Sequence, residues 1–407
     1  MDGSHLVMEN GKIIMKHVQF KNISTEVADS AFWLDVSCIL NQEAKNSIIA
    51  TEWEVSKDLK QVLITSDYTK GWRHSSFASY WIYDTTTKVN RRLNTSSSTK
   101  NIPGALVGGK IALALFSRGG ESVLWVRDND LYVTTDGQEV QITTDGSKNV
   151  MNGISDWVYE EEIVSGPQSA FFSPNGKRIA FVKYNDTLVQ EYHIQFYRKY
   201  GKTAYPREID IKYPKPGTPN PVAHIYLSSI NAETQKATTS MIDFGTKDFD
   251  DADRIVTQIS WLSDDTVLVR LMNRVQDHQR IYAIQTLDGG KSWNSRLLRD
   301  ERTPDGAWFN RMQPIYRLGD LSKKDHAYVE IMDHPSGYAH IAFFADLKTI
   351  SPTAWLTSGP FDVIDINGVS KDLTIYYTSA EVNSMQRHIY RYSNADLVYR
   401  SMASNRN

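Results

Sequence analysis

Cysteine is almost absent from this 407-residue chain: Cys38 is the only one. A disulfide framework within the chain is therefore excluded, and with no Cys or His partner at ligand spacing nearby, so is a cysteine-based metal site. The 10 His are scattered. They form neither a His-Glu-x-x-His pair nor a facial triad, so no metal and no other cofactor is expected. Excess charge of one sign is also missing. Lys and Arg number 45 against 48 Asp and Glu, a formal net charge of -3, which leaves no basic footprint for nucleic acid or an anionic membrane. Long apolar runs are lacking as well: the most apolar stretch, residues 105–116, is broken by Lys110. Residues 1–5 have neither the basic start nor the apolar core of a signal peptide, so no export or membrane address of the chain's own is expected. No long stretch has helical periodicity.

Aromatic residues, by contrast, are plentiful, with 21 Tyr and 10 Trp, and 41% of the chain is hydrophobic. Strands favour such residues, and a chain of this length can bury a large core or several domains. A short motif recurs: an apolar residue, a Ser, a small or acidic turn, then a β-rich run. It stands at Val55-Ser56-Lys57-Asp58, Phe116-Ser117-Arg118-Gly119, Phe172-Ser173-Pro174-Asn175, Leu262-Ser263-Asp264-Asp265 and Val369-Ser370-Lys371-Asp372. The period is roughly 50 to 60 residues with one long insertion and one skipped copy, which is propeller spacing. The runs that follow, such as Ile179-Ala180-Phe181-Val182 and Val267-Leu268-Val269, read as inner or middle strands of a blade. Second hairpins follow turns at Asp128-Asn129-Asp130, Asp288-Gly289-Gly290 and Ser336-Gly337. Four-stranded antiparallel blades around an axis are the economical arrangement, and the whole span 1–407 reads as one all-β propeller.

Two stretches interrupt the rhythm. Residues 152–166 are acidic and aromatic, with too many adjacent charges for a buried strand, and are expected to hold a short helix or loop. Residues 197–230 contain Pro206, Pro214, Pro216, Pro219 and Pro221. Proline cannot lie in a central strand, so an extended arm is expected there.

The acidic stretch reads Asp156-Trp157-Val158-Tyr159-Glu160-Glu161-Glu162. A free peptide N-terminus is an ammonium with three donors. Holding it away from bulk water takes acceptors and negative charge, which two converging carboxylates supply. Adjacent Glu side chains on a short helix diverge, so three in a row can turn two to one cavity and one to solvent. An arbitrary run of three Glu is more often a solvated turn.

This segment, together with Gly71-Trp72-Arg73-His74-Ser75-Ser76 and Ser173-Pro174-Asn175-Gly176, resembles the N-terminal propeller of the dipeptidyl peptidase IV family, within the prolyl oligopeptidase superfamily. The likeness runs from about His5 to about Tyr399 and is nearest to the fungal dipeptidyl aminopeptidases. It implies an eight-bladed propeller, here with an incomplete first blade. It implies that Glu161 and Glu162 clamp a substrate's terminal amine, that Arg73 binds a substrate carbonyl, and that Ser165 lines the same pocket. Arg311-Met312 fall where the family offers an aromatic side chain, and Met312 departs from that pattern.

The family's peptidases also need a Gly-x-Ser-x-Gly elbow followed by Asp and His. No such elbow occurs in the sequence, so neither an α/β-hydrolase domain nor a catalytic residue is expected in this chain. The resemblance implies a propeller that gates and binds peptide N-termini for a dipeptidyl-releasing serine exopeptidase, with Pro or Ala at the second position. Its partner would be the hydrolase domain, with a homodimer formed through residues 206–230. A secretory-pathway location is implied too, vacuolar or Golgi on the lumenal side or secreted, where sequons at Asn22, Asn94 and Asn185 would matter. The alternative is a catalytically inert propeller serving as an interaction scaffold, against which intact Arg73, Glu161 and Glu162 argue.

Overall fold

The computed structural model describes residues 50–93, 110–197, 205–245, 248–304, 306–309, 314–318 and 326–393, and the strand backbone of five segments before residue 50. Cys38, Asn22, Asn94, Arg311 and Met312 lie outside the residues whose side chains are described.

Strands follow one another as antiparallel sheets in chain order. The first sheet holds β1 (Ser4–Glu9), β2 (Lys12–Lys21) and β3 (Ser24–Asp35), followed by the short pair β4 (Leu40–Asn41) and β5 (Asn46–Ser47). The second holds β6 (Ala50–Val55), β7 (Gln61–Lys70), β8 (Ser76–Asp84) and β9 (Asn90–Arg92). The third holds β10 (Ile111–Phe116), β11 (Ser122–Arg127), β12 (Asp130–Thr135) and β13 (Gln138–Gln141), tied to the second by an Ile111–Ala78 pairing. In the fourth, β14 (Val150–Asn152) and β15 (Ala170–Phe172) both pair with β16 (Arg178–Asn185). Next to β16 run β19 (Val222–Asn231) and β20 (Lys236–Met241), while β17 (Glu191–Phe196) and β18 (Arg207–Lys212) leave as a separate hairpin.

The fifth sheet is β21 (Ile255–Ser263), β22 (Thr266–Met272), β23 (His278–Gln285) and β24 (Asn294–Arg302). The sixth is β25 (Tyr316–Arg317), β26 (Tyr328–Asp333), β27 (Ala339–Phe344) and β28 (Ala354–Trp355). The seventh is β29 (Val363–Val369), β30 (Ile375–Ser379) and β31 (His388–Tyr392). Seven blade-type sheets are thus formed among the described residues, where the resemblance implies eight for the family. No helix among them is long and apolar enough to cross a membrane.

The apolar runs in the middle strands are explained by burial on both faces. Because side chains alternate across a strand, Ile179 and Phe181 pack toward the third sheet while Ala180, Val182 and Tyr184 pack toward the fifth. In β22, Val267, Val269 and Leu271 face the fourth sheet and Leu268 the sixth. In β27, Ile341 and Phe343 face the seventh sheet and Ala342 and Phe344 the fifth. From the second sheet to the seventh, each sheet therefore shares a core with the next.

The recurring Ser motif is a hairpin turn with its own hydrogen-bond set. The Ser56 amide donates to the Gln61 carbonyl (2.9 Å) and the Gln61 amide donates back to Ser56 Oγ (2.9 Å). Ser117 with Ser122 repeats this at 2.7 and 3.1 Å, and Ser173 with Arg178 at 2.8 and 3.1 Å. Ser263 departs from the set, since it pairs directly with Thr266 across a tighter turn.

The expected arm of 197–230 is redrawn. The excursion starts upstream with β17, and residues 222–231 form β19, a central strand of the fourth sheet. The physical reason is the alternating Val222-to-Leu227 run, which begins directly after Pro221. None of the five prolines lies within a strand, as their missing donor requires.

Candidate functional site

Two connections carry the expected site residues. One is the β7–β8 turn of the second sheet, Gly71–Ser75. The other is the link between β14 and β15 of the fourth sheet, whose base is closed by the Ser155 amide donating to Pro167 O (3.0 Å) and the Ser169 amide to Gly153 O (3.0 Å).

The acidic link folds as a wide helical turn over Tyr159–Ile163. Asp156 caps it from within the core: its oxygens accept the amides of Val158 (3.0 Å) and Tyr159 (3.3 Å), as an N-terminal Asp should. The wide turn is set by the Val164 amide donating to Tyr159 O at 2.8 Å, one residue beyond α-helical spacing. Tyr159 anchors the turn: its ring is buried against Tyr184 (centroids 4.4 Å apart) and its hydroxyl accepts the Val256 amide from the fifth sheet (3.3 Å). Burial pushes the Tyr159 phenol well above its ordinary range.

Such anchoring sends the three glutamates different ways. Glu160 is buried, and one of its oxygens accepts both the His74 amide (2.7 Å) and the Ser75 amide (2.9 Å). Glu161 meets Arg73 twice, accepting its amide (3.0 Å) and pairing with its Nε (3.0 Å). Glu162 is exposed. The carboxylates that bond to the Arg73 turn are therefore Glu160 and Glu161, while Glu162, expected with Glu161 to hold a substrate amine, faces solvent. Tyr159 enters the core, and its chain neighbour Glu160 points at the second sheet. Ser165 is exposed, two residues past the helical turn, with a left-handed φ of 55°. The structure thus brings Arg73 and Glu161 together and leaves Glu162 and Ser165 exposed, bonded to neither.

The turn that carries Arg73 is rigid. The Gly71 amide donates to Ser75 O (3.0 Å), the Trp72 amide to Ser75 Oγ (3.0 Å), and Lys70 Nζ to Arg73 O (2.7 Å). A Cβ on Gly71 would lie 2.6 Å from Ser75 Oγ, so glycine is needed at that close approach. Beside it, Trp72, Phe196 and Arg207 are among the residues enclosing a cavity of about 350 Å³ between the turn and the β17–β18 hairpin. The hairpin's base also touches the acidic segment, with Trp157 against Tyr213 (4.8 Å) and Tyr213 against Tyr192 (5.8 Å). Neither link was foreseen from the sequence, because each joins residues far apart in the chain.

Beneath the turn lies a pair of buried carboxyls, Asp156 and Asp186. Burial pushes Asp156 up to about 7, with the nearby Glu160 charge adding to the rise. Asp186 is pushed up to about 8, by burial first and then by the Asp156 charge, with Lys212 pulling the other way. Chemically, the surface above presents two carboxylates, Glu161 and Glu162, and one guanidinium, a net negative site with hydrogen-bond acceptors and one directed cation. Such a site suits a ligand with an ammonium and a neighbouring carbonyl.

Comparison with known proteins gives this geometry a context. Residues 56–402 match the sequence model of the Dipeptidyl peptidase IV (DPP IV) N-terminal region. A dipeptidyl peptidase 4 of Trichophyton tonsurans is 35% identical over 343 residues, covering 83% of this chain and 41% of the relative. A probable dipeptidyl-aminopeptidase B of Neosartorya fischeri is 34% identical over 372 residues, covering 87% of this chain and 38% of the relative. This chain therefore spans well under half the length of either relative. The crystal structure of Porphyromonas gingivalis dipeptidyl peptidase 4 shares the fold, with a TM-score of 0.72 at 24% identity over 97% of this chain and 51% of that one. Antiparallel sheets that follow one another in chain order among the described residues, a family match over most of the sequence and relatives above 30% identity lead to one assignment: this chain belongs to the family of the dipeptidyl peptidase IV N-terminal region.

Proposed function

We propose that this chain is the gating and amine-binding propeller of a dipeptidyl peptidase IV-like serine exopeptidase. The observation that carries the proposal is the Arg73–Glu161 pair, formed between the second and fourth sheets, with Glu162, the next residue in the chain, exposed. In this reading the substrate's terminal ammonium sits between Glu161 and Glu162, the Arg73 guanidinium meets the carbonyl that follows, and Ser165 borders the amine. Anchoring the amine fixes how far the peptide reaches, so that the bond after the second residue, Pro or Ala, meets the nucleophile. That nucleophile would come from an α/β-hydrolase domain, since the sequence has no Gly-x-Ser-x-Gly. The chain by itself binds and does not cut.

Two associated proposals concern the parent protein. Residues 206–230, which hold β18, the Pro-rich strand entry and most of β19, pair two copies into a dimer. Exposed Tyr205 and Tyr213 support this, being aromatic surface of the kind that interfaces bury. Deleting the hairpin should convert a dimer to a monomer in sedimentation, and an unchanged mass would dismiss the idea. A secretory-pathway location agrees with Asn185, an exposed sequon whose Oδ1 accepts the Thr187 amide (3.0 Å). Glycosidase-sensitive mass on protein from its own host would test it.

The central test is calorimetric titration with Gly-Pro-Gly and its N-acetyl form, alongside hydrolysis of a Gly-Pro amide by this chain and by a version extended into a hydrolase domain. Binding of the free amine only, weakened about tenfold or more by Glu161→Gln, with cleavage confined to the longer version, is the expected outcome. Equal binding of both peptides would refute the clamp, and cleavage by the short chain would refute the division of labour.

A further inference from the structure

We propose that Glu160 is a positioning residue for this site, a buried anion that sets Arg73 in register with the carboxylates; the proposal rests on the amine-clamp reading. No role for it follows from the pair Glu161 and Glu162, and its side chain is sealed from solvent, with 1% of the residue exposed. It cannot touch a peptide. Its bonds go instead to the backbone of the turn that presents Arg73: the His74 amide at 2.7 Å and the Ser75 amide at 2.9 Å, on a single oxygen.

The geometry on the turn explains why that matters. Three consecutive amides, those of Arg73, His74 and Ser75, donate to carboxylates of the acidic turn, the first to Glu161 and the other two to Glu160. The turn's remaining bonds to Ser75 and Lys70 are local and hold its shape. The three amides, with the Arg73 Nε–Glu161 pair, tie the turn to the acidic link of the fourth sheet. An Arg side chain that is 73% exposed has many rotamers to lose on binding, so its usefulness depends on a fixed Cα and on an Nε already held by Glu161. Charge-assisted bonds to a buried carboxylate are the stronger kind, and losing the acceptor would strand two amides between sheets. Glu160 thus acts through Arg73, and because it binds backbone, the side chains of His74 and Ser75 are not part of the device.

A double-mutant cycle separates positioning from bulk stability. The probes are Gly-Pro-Gly and its N-acetyl form, titrated into the whole chain carrying Glu160→Ala, Glu160→Gln, Arg73→Ala and the combinations, with thermal melting recorded for each. Glu160→Ala should weaken free-amine binding by about tenfold. Glu160→Gln keeps an acceptor oxygen for both amides and should recover most of that loss. In the Arg73→Ala background, Glu160→Ala should cost at most about twofold, since its effect runs through Arg73. Should the alanine variant not fold, Glu160→Asp, which withdraws the oxygen by one methylene, carries the same comparison. Wild-type affinity in Glu160→Ala, no recovery in Glu160→Gln, or an equal loss in both Arg73 backgrounds would overturn the positioning role while the clamp stood. A wild-type chain that failed to tell the free amine from the acetylated peptide would overturn both.

Discussion

In the repeated serine turn the fourth position carries the conformational demand. Gly120 and Gly176 occupy it with φ of 83° and 72°, and the backbone there also presses on the neighbouring blade. A Cβ on Gly120 would stand 2.7 Å from Ser56 Cβ, and one on Gly176 3.1 Å from Ser117 Cβ. The serine turns of the third and fourth sheets therefore nest on the serine of the sheet before. Gly137 provides the control, with φ of 75° but its nearest neighbour, Arg91 Nη1, 3.9 Å away. Gly137→Ala should cost about 1 kcal/mol for the backbone conformation alone. Gly120→Ala should cost about 2–4 kcal/mol, because steric overlap adds to the same conformational term. Urea melts of the two variants check this, and equal losses would mean that the contact between turns contributes nothing. The serines and glycines of these turns were readable in the sequence because the hydrogen bonds that define them are local. What each glycine touches was not, since that neighbour lies some 60 residues away, across a sheet boundary.

At the scale of elements, the fifth and sixth sheets are joined by charge as well as by apolar packing. Glu330 on β26 is fully buried and binds Arg270 from β22 and Arg299 from β24, while Arg299 also meets Glu301 at 3.3 Å. Arg299 further lies over the Phe344 ring, 4.6 Å from its centroid. Removing the shared anion would leave two buried guanidiniums facing each other. Glu330→Ala should therefore destabilise the chain by about 3–5 kcal/mol, whereas a triple replacement of Arg270, Arg299 and Glu330 by apolar residues of similar volume should cost far less or nothing. Chemical denaturation of both variants tests the pair of statements; a loss under 1 kcal/mol for Glu330→Ala would show the cluster to be well solvated. Sequence alone gave no hint of this cluster, whose members are 31 and 60 residues apart. The middle strands were legible by their apolar content. The two-residue strands β25 and β28 were not, because so short a pairing leaves no periodicity to detect. In the acidic segment the sequence revealed the residue types and the family, but not which two glutamates bond to the Arg73 turn.

The whole molecule has one consequence of burying Asp156 and Asp186 in the fourth sheet that reaches beyond any single blade. Both carboxyls are pushed above the ordinary 3.8, to about 7 and about 8, mainly by burial. A group whose folded pKa is raised binds its proton more tightly in the folded chain. Its stabilising share is complete below pH 4 and is lost as pH rises through 7 to 8. Several groups face the pair: Glu160, Tyr159 and Tyr184 around Asp156, and Lys212 beside Asp186, the last opposing the rise. Other carboxylates act in the opposite sense at lower pH, since Glu191 is held down by Lys148 and Asp300 by His278 and Arg280, and these lose their contribution only in acid. Buried His340, lowered by desolvation, gains stability as pH rises through its range and offsets part of the slope. The net expectation is greatest stability near pH 5 and a melting temperature about 2–4 °C lower at pH 8.5 than at pH 5.5. The decisive comparison is Asp186→Asn, which removes one titrating member and the like charge that raises the other. That variant should flatten the decline between the two pH values and melt higher than the unaltered chain at pH 8.5. If its melting temperature fell with pH as steeply as that of the unaltered chain, the decline would have to arise from groups outside the fourth sheet.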